Sequence, residues 1–169
     1  MRIVVTGASG LLGLNLCLEW RSHHDVVGIA GSNLLNVDAV PFISANLASF
    51  DPDAVLTPLA PDAVVHCAAL TDVDRCEDDS DLARRVNAEA PGEVARWCAR
   101  NDVAMVYVSS DAVFDGRDGG YREVDRPNPV NAYGRSKLAG EEAIRASDAI
   151  HAVLRTSWVV SAHGANFVQ

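Results

Sequence analysis

The chain's 169 residues are 49% hydrophobic and 22% charged, the balance of one globular domain with a real core and not of a disordered segment. A net charge of −9 repels polyanions, which excludes nucleic acid and anionic membrane as general partners. No apolar run nears the roughly 18 residues of a membrane span, and the chain enters a strand-like run at residue 2 without a leader pattern, so a cytoplasmic protein is expected.

Short β-branched runs alternate with helical stretches along the chain. "RIVVT" (2–6) reads as a strand and 11–22 as an amphipathic helix, followed by strands "DVVGIA" (25–30) and "VPFISA" (40–45). A helical "DPDAVLTPL" (51–59) leads to the strand "DAVVHCA" (62–68). One long helix is expected over about 78–100, with Pro91 marking a kink or a join. The strand "VAMVYVSS" (103–110), a Gly- and Asp-rich loop (115–130), a helix (132–147) and the strand "HAVLRTSW" (151–158) complete the series. Continuous apolar strands separated by helices predict a parallel sheet covered on both faces. Right-handed crossovers then give an α/β, doubly wound, Rossmann-like domain of about six strands. The four cysteines show no C-x-x-C spacing and the five histidines are scattered, which predicts reduced structural thiols and no metal site.

"VVTGASGLLG" joins the first strand to the first helix, with Gly7, Gly10 and Gly13 in a G-x-x-G-x-x-G pattern. Gly7 allows the tight turn, Gly10 the approach of a pyrophosphate to the helix N-terminus, and Gly13 close helix–strand packing. The strand-then-helix context points to a dinucleotide site. The second strand runs into "GSN" (31–33) with no acidic residue to hold a ribose 2′-hydroxyl. Ser32 and Asn33 are candidate donors to a 2′-phosphate there, so NADP(H) is favoured and NAD(H) stays open.

The chain holds one lysine against thirteen arginines, and that lysine, Lys137, stands four residues after Tyr133. On a helix the two share a face with Cβ atoms about 5–6 Å apart. A free phenol is a sluggish acid near neutrality, and lowering its pKa by about three units takes roughly 4 kcal/mol of differential stabilisation. A partly desolvated ammonium nearby is a source of it. Ser109 and Ser110 end the preceding strand, at the carboxyl edge where such sheets bind ligands.

"TGASGLLG", "VSSD" and "YGRSK" together resemble the extended short-chain dehydrogenase/reductase superfamily. "HCAALTDVDRCE" (66–77), "VNAEAPGEVA" (86–95), "SSDAVFDG" (109–116), "NPVNAYGRSKLAGEE" (128–142) and "LRTSWV" (154–159) narrow the resemblance to the dTDP-4-dehydrorhamnose reductase family. It implies NADPH-dependent reduction of the 4-keto group of a nucleotide-diphospho-sugar. By matching motifs, Ser110 would bond the substrate carbonyl, Tyr133 would donate the proton, and Lys137 would lower the tyrosine's pKa and hold the nicotinamide ribose. Ser9, Leu11 and Leu12 would join the three glycines on the cofactor, with Asn46 and Leu47 at adenine and Ala68 and Ala69 along the groove. Thr71, Arg155 and Trp158 would face substrate, and Asn87 matches an asparagine of the long helix. Ala112 replaces the usual aromatic residue of its motif, and Asn46 an acid.

The resemblance also implies a smaller substrate domain beyond this chain in relatives, so 1–169 is expected to be the cofactor-binding domain, truncated before it. Helices near 80–100 and 133–147 form a dimerising bundle in many relatives, which implies a homodimer. Two other readings stay open: a non-catalytic NADP-binding subunit like that of methionine adenosyltransferase, and a sugar-nucleotide epimerase or dehydratase holding NAD.

Overall fold

The computed structural model describes residues 1–161. Runs of Val and Ile without polar alternation can bury both faces only in a sheet with helices on each side. Among the described residues that sheet has six parallel strands: β1 (Arg2–Thr6), β2 (Asp25–Ala30), β3 (Phe42–Ser44), β4 (Ala63–His66), β5 (Ala104–Ser110) and β6 (His151–Thr156). Their order is β3-β2-β1-β4-β5-β6, with Val5 opposite Gly28 on one side and Val65 on the other. The winding reverses between β1 and β4, which opens a crevice at the carboxyl ends of those strands.

Among the described residues six α-helices flank the sheet: α1 (Leu11–Trp20), α2 (Pro52–Leu56), α3 (Val73–Asp78), α4 (Ser80–Arg84), α5 (Ala90–Asn101) and α6 (Ala132–Arg145). On one face Val4, Ile29, Val64 and Met105 pack with Trp97 and Val94 of α5 and Ile144 of α6. On the other, Ile3, Val5, Val26 and Val65 pack with Cys17 of α1. No helix among the described residues is long and apolar enough to cross a membrane.

The helix expected over 78–100 runs from Ser80 to Asn101 as α4, a π-type turn and α5 in succession, and a separate helix, α3, precedes it. Asp79 leaves helical geometry and its carboxylate accepts from the Leu82 amide (2.8 Å), so it ends α3 and caps α4. Pro91 has no N–H to offer the carbonyl four residues back, at Asn87. The chain there makes a wider π-type turn over Arg85–Glu89, and the Tyr107 hydroxyl of β5 donates to the freed Asn87 carbonyl at 3.0 Å. Strand ends also differ. Pro41 keeps the third strand to three residues, and β6 stops at Thr156, before the positive φ of Trp158 (50°) turns the chain.

Candidate functional site

The glycine loop is shaped by contacts that leave no space for side chains. A Cβ on Gly7, whose φ is +68°, would meet the Ala68 backbone at 2.7 Å, and one on Gly13 would meet the Gly7 carbonyl at 2.3 Å. The loop is therefore pressed against both its own helix and the segment after β4. Gly10 caps α1 without a side chain, so the first amides of α1 are not consumed by a side-chain acceptor. Such amides favour an anion.

Two elements carry the other wall. Asn131 caps α6 by accepting from the Gly134 amide (2.7 Å), and Glu77 of α3 accepts from the Ala132 amide (2.6 Å). A Cβ on Gly134 would lie 2.1 Å from the Ala112 carbonyl, so glycine lets the first turn of α6 sit on the turn that follows β5. That contact brings Tyr133 beside Ser110, whose hydroxyl favours the phenolate. One turn further along α6, Lys137 is 1% exposed; its Nζ donates to the Val108 carbonyl (2.8 Å) and lies 4.1 Å above the Tyr107 ring.

These parts meet in one groove of about 1260 Å³ at the carboxyl ends of β1, β2, β4 and β5. Its lining includes Gly7, Ser9, Gly10, Leu11, Leu12 and Gly13, then Ser32, Asn46 and Leu47, then Ala68, Ala69 and Thr71, and finally Ser110, Tyr133, Lys137 and Trp158. Although the chain has 23 acidic residues, none of the described residues lining the groove is Asp or Glu, and two, Arg75 and Lys137, are cationic. An acid-free wall with a glycine cradle fits a polyanionic dinucleotide.

Two predicted residues lie elsewhere. Asn33 is not part of the lining. Arg155 is turned from the groove and held by Glu141, with Nε at 2.9 Å and Nη2 at 2.7 Å from its carboxylate, and its guanidinium stacks 4.8 Å from the Phe114 ring centre. Asn46 lines the groove, but its side-chain oxygen accepts from the Ala48 amide (3.0 Å) and caps the turn Leu47–Ser49.

Burial is the first influence on the tyrosine and on its lysine alike. Burial pushes the Tyr133 phenol up, and the opposing influence is the neighbouring Ser110 hydroxyl, while Cys76 and Asp111 push further up. Tyr133 packs with Cys76, Ala83 and Ala132, and the Lys137 ammonium is directed to β5. Burial pulls that ammonium down to about 7, against the charge of Glu141.

Sequence reasoning missed two participants, Arg75 and Glu141, and named a third, Asn87, without its contacts. Arg75 lines the groove from the first turn of α3. Asn87 is a hub: its amide accepts from the Leu70 N–H (2.8 Å) and donates to the Leu70 carbonyl (2.9 Å) and to Ser136 Oγ (2.9 Å), which fastens the groove segment to α6. Glu141 is fully buried beside Lys137.

His66 lies behind the site, with Nδ1 3.0 Å from Thr6 Oγ1, which in turn accepts from the Ala68 amide. Burial, with the Lys137 charge, holds the imidazole pKa down to about 3. The unfolded chain therefore binds more protons at this residue between pH 6.5 and 3, and stability falls as the pH falls through that window. The slope is at most about 1.4 kcal/mol per pH unit. Thermal melts of His66→Asn are expected to show a flatter acid dependence than the wild type, and parallel curves would refute it.

Residues 1–169 match a family model described as RmlD substrate binding domain. The chain belongs to the RmlD family. Within it, the chain is 40% identical to a probable low-salt glycan biosynthesis reductase of Haloferax volcanii, over 97% of this chain and 55% of that protein. It is 38% identical to dTDP-4-dehydrorhamnose reductase of Mycolicibacterium smegmatis (99% and 49%) and 36% identical to methionine adenosyltransferase 2 subunit beta of Bos taurus (91% and 46%). Among solved structures, dTDP-4-dehydrorhamnose reductase of Bacillus anthracis in complex with NADP superposes with a TM-score of 0.84 at 33% identity, covering 99% of this chain and 57% of that one. A hypothetical dTDP-4-dehydrorhamnose reductase of Sulfolobus tokodaii gives 0.87 at 36% (97% and 58%). The chain spans about half the length of the curated relatives it matches.

Proposed function

We propose that residues 1–169 are the dinucleotide-binding domain of an NADPH-dependent reductase of a 4-keto nucleotide-diphospho-sugar, of the dTDP-4-dehydrorhamnose reductase kind. The observation that carries this reading is the single groove that joins the glycine cradle to Ser110, Tyr133 and Lys137 with no carboxylate along its described wall. When bound, the cofactor supplies hydride. The open α1 amides and the Gly7–Gly13 loop hold its pyrophosphate, and Ser32 and Asn46 stand on the adenosine side, where the absence of an acid favours a 2′-phosphate.

Ser110 Oγ donates to the substrate carbonyl oxygen, and Tyr133 delivers the proton to that oxygen. A phenol pushed up by burial keeps its proton near neutrality, which is the state a general acid needs before reaction. The Lys137 ammonium, one turn along α6, stabilises the phenolate as the proton leaves. Thr71 and Trp158 border the sugar side.

The relatives named as reductases and the one solved with NADP support this reading. Fluorescence titration is expected to give at least about tenfold tighter binding of NADPH than of NADH, a preference of about 1.4 kcal/mol. Equal affinities would remove the cofactor assignment. NADPH oxidation with a panel of 4-keto nucleotide sugars, by this chain and by a form with the relatives' additional length, tests the reaction. A form that binds NADPH and oxidises it with none of them contradicts the reductase reading. That outcome would favour the second reading, a cofactor-binding subunit, which the similarity to the methionine adenosyltransferase subunit motivates.

A further inference from the structure

Tyr133, Lys137, Glu141 and Arg145 follow one another at four-residue steps along α6 and form a single row. The proposed reaction uses the first two. Glu141 is 0% exposed and accepts four hydrogen bonds. Its Oε1 takes them from Ser109 Oγ (2.7 Å) and Arg155 Nε (2.9 Å), and its Oε2 from Nη2 of Arg145 (2.7 Å) and of Arg155 (2.7 Å). Apolar residues would hold α6 to the sheet as well, since a buried ion pair adds little over good packing. A carboxylate placed here has another consequence, for its neighbour one turn back.

Lys137 is buried, and a buried ammonium loses its proton readily unless a negative charge is within reach. The groups around it can be named by element. Tyr133 and Glu141 come from α6, and Tyr107, Ser109 and Ser110 from β5. His66 comes from β4, with Cys67 just after it, and Arg155 from β6 behind Glu141. Asp111 acts on Tyr133 at the far side. Burial keeps His66 neutral, pushes the Cys67 thiol up to about 12, and raises both tyrosines. Glu141, by contrast, is held ionised: burial opposes its charge, but the bonds from Arg155, Ser109 and Arg145 outweigh it. Among the described residues it is the carboxylate whose charge acts on Lys137.

We propose that Glu141 is a positioning residue that keeps Lys137 protonated, and that through Ser109 it fixes this charge to the strand that carries Ser110. Its meaning for turnover rests on the reductase reading; the protonation itself does not. Ser109 and Glu141 make the link between strand and helix direct, so the charge and the site geometry move together.

Because Lys137 is the chain's sole lysine, protein grown on lysine enriched with carbon-13 at Cε shows one lysine signal, and its titration reports this group alone. Glu141→Gln is expected to lower the midpoint by at least about one pH unit, a tenfold loss of proton affinity. Ser109→Ala removes a bond but no charge and leaves the midpoint in place. Arg155→Gln strips a cation from Glu141 and raises the midpoint, which decides the matter if Glu141→Gln does not fold. An unmoved midpoint in Glu141→Gln overturns the proposal, as does an equal shift in Ser109→Ala or a lowered or unchanged midpoint in Arg155→Gln. The expected shifts in a protein that reduces no keto-sugar would uphold it while counting against the reductase reading.

Discussion

Tyr133→Phe is expected to lower the turnover number by about 10²–10⁴-fold, the usual contribution of a positioned proton donor, while NADPH affinity changes by less than about threefold. The asymmetry follows from what the hydroxyl does. The ring packs with Cys76, Ala83 and Ala132, and a phenylalanine keeps those contacts and the first turn of α6 intact. Only the proton and the influence of the Ser110 hydroxyl on it are lost. Loss in kcat with KM unchanged is the signature of a group that acts in the transition state alone. Rates measured as NADPH oxidation, with affinity measured separately by fluorescence, make the split visible. Near wild-type turnover in the variant would remove Tyr133 from the chemistry, and a large loss of cofactor affinity would make it a binding residue instead.

The centre of each strand was legible in the sequence because burial on both faces leaves no freedom in composition: Val4, Val64 and Met105 could be nothing but core. The ends were less so. The apolar pattern of the fourth strand runs on through Cys67 and Ala68, yet pairing stops at His66, since the Gly7 turn packs against the Ala68 backbone and draws the chain out of the sheet. Helical periodicity likewise passes through Asp79 without a sign of a break, and Pro91 marks a join without showing how the turn before it is satisfied. The reason lies in a partner from β5, the Tyr107 hydroxyl, which takes the carbonyl that Pro91 leaves free.

The site shows the same division between local and distant causes. Gly7, Gly10 and Gly13 announce their groove because each glycine answers a nearby clash. Arg155 could be placed on the last strand but not on a side of it, and its guanidinium goes to Glu141. Glu141 itself, next to Glu142 on an amphipathic helix, reads as a solvated acid. Its burial depends on β6 lying beside β5, which no local pattern contains.

The same long-range packing makes Gly140→Ala a severe change. Alanine is favoured over glycine within a helix by about 0.8–1.0 kcal/mol, so propensity alone predicts a gain. The contacts predict the opposite. A Cβ at residue 140 would stand 2.2 Å from the Asn87 carbonyl oxygen and 2.6 Å from the Tyr107 hydroxyl, both deep in the core and bonded to each other. Neither can retreat as a surface side chain would: one is backbone in the turn before Pro91, and the other belongs to a fully buried ring. Clearing the clash requires α6 to lift away, which breaks the Asn87–Ser136 bond and moves Lys137 from Val108. A net loss of about 3 kcal/mol is expected, the upper end for overpacking a core, read as a lower urea midpoint at unchanged slope. Gly92→Ala is the control, because its Cβ would meet only side chains, the Ala143 methyl at 3.0 Å and an Arg96 guanidinium nitrogen at 3.4 Å, and its cost is expected to be smaller. A Gly140→Ala protein as stable as the wild type would mean that α6 does not rest on the Asn87 turn, and the seat of Tyr133 and Lys137 would have to be sought in other contacts.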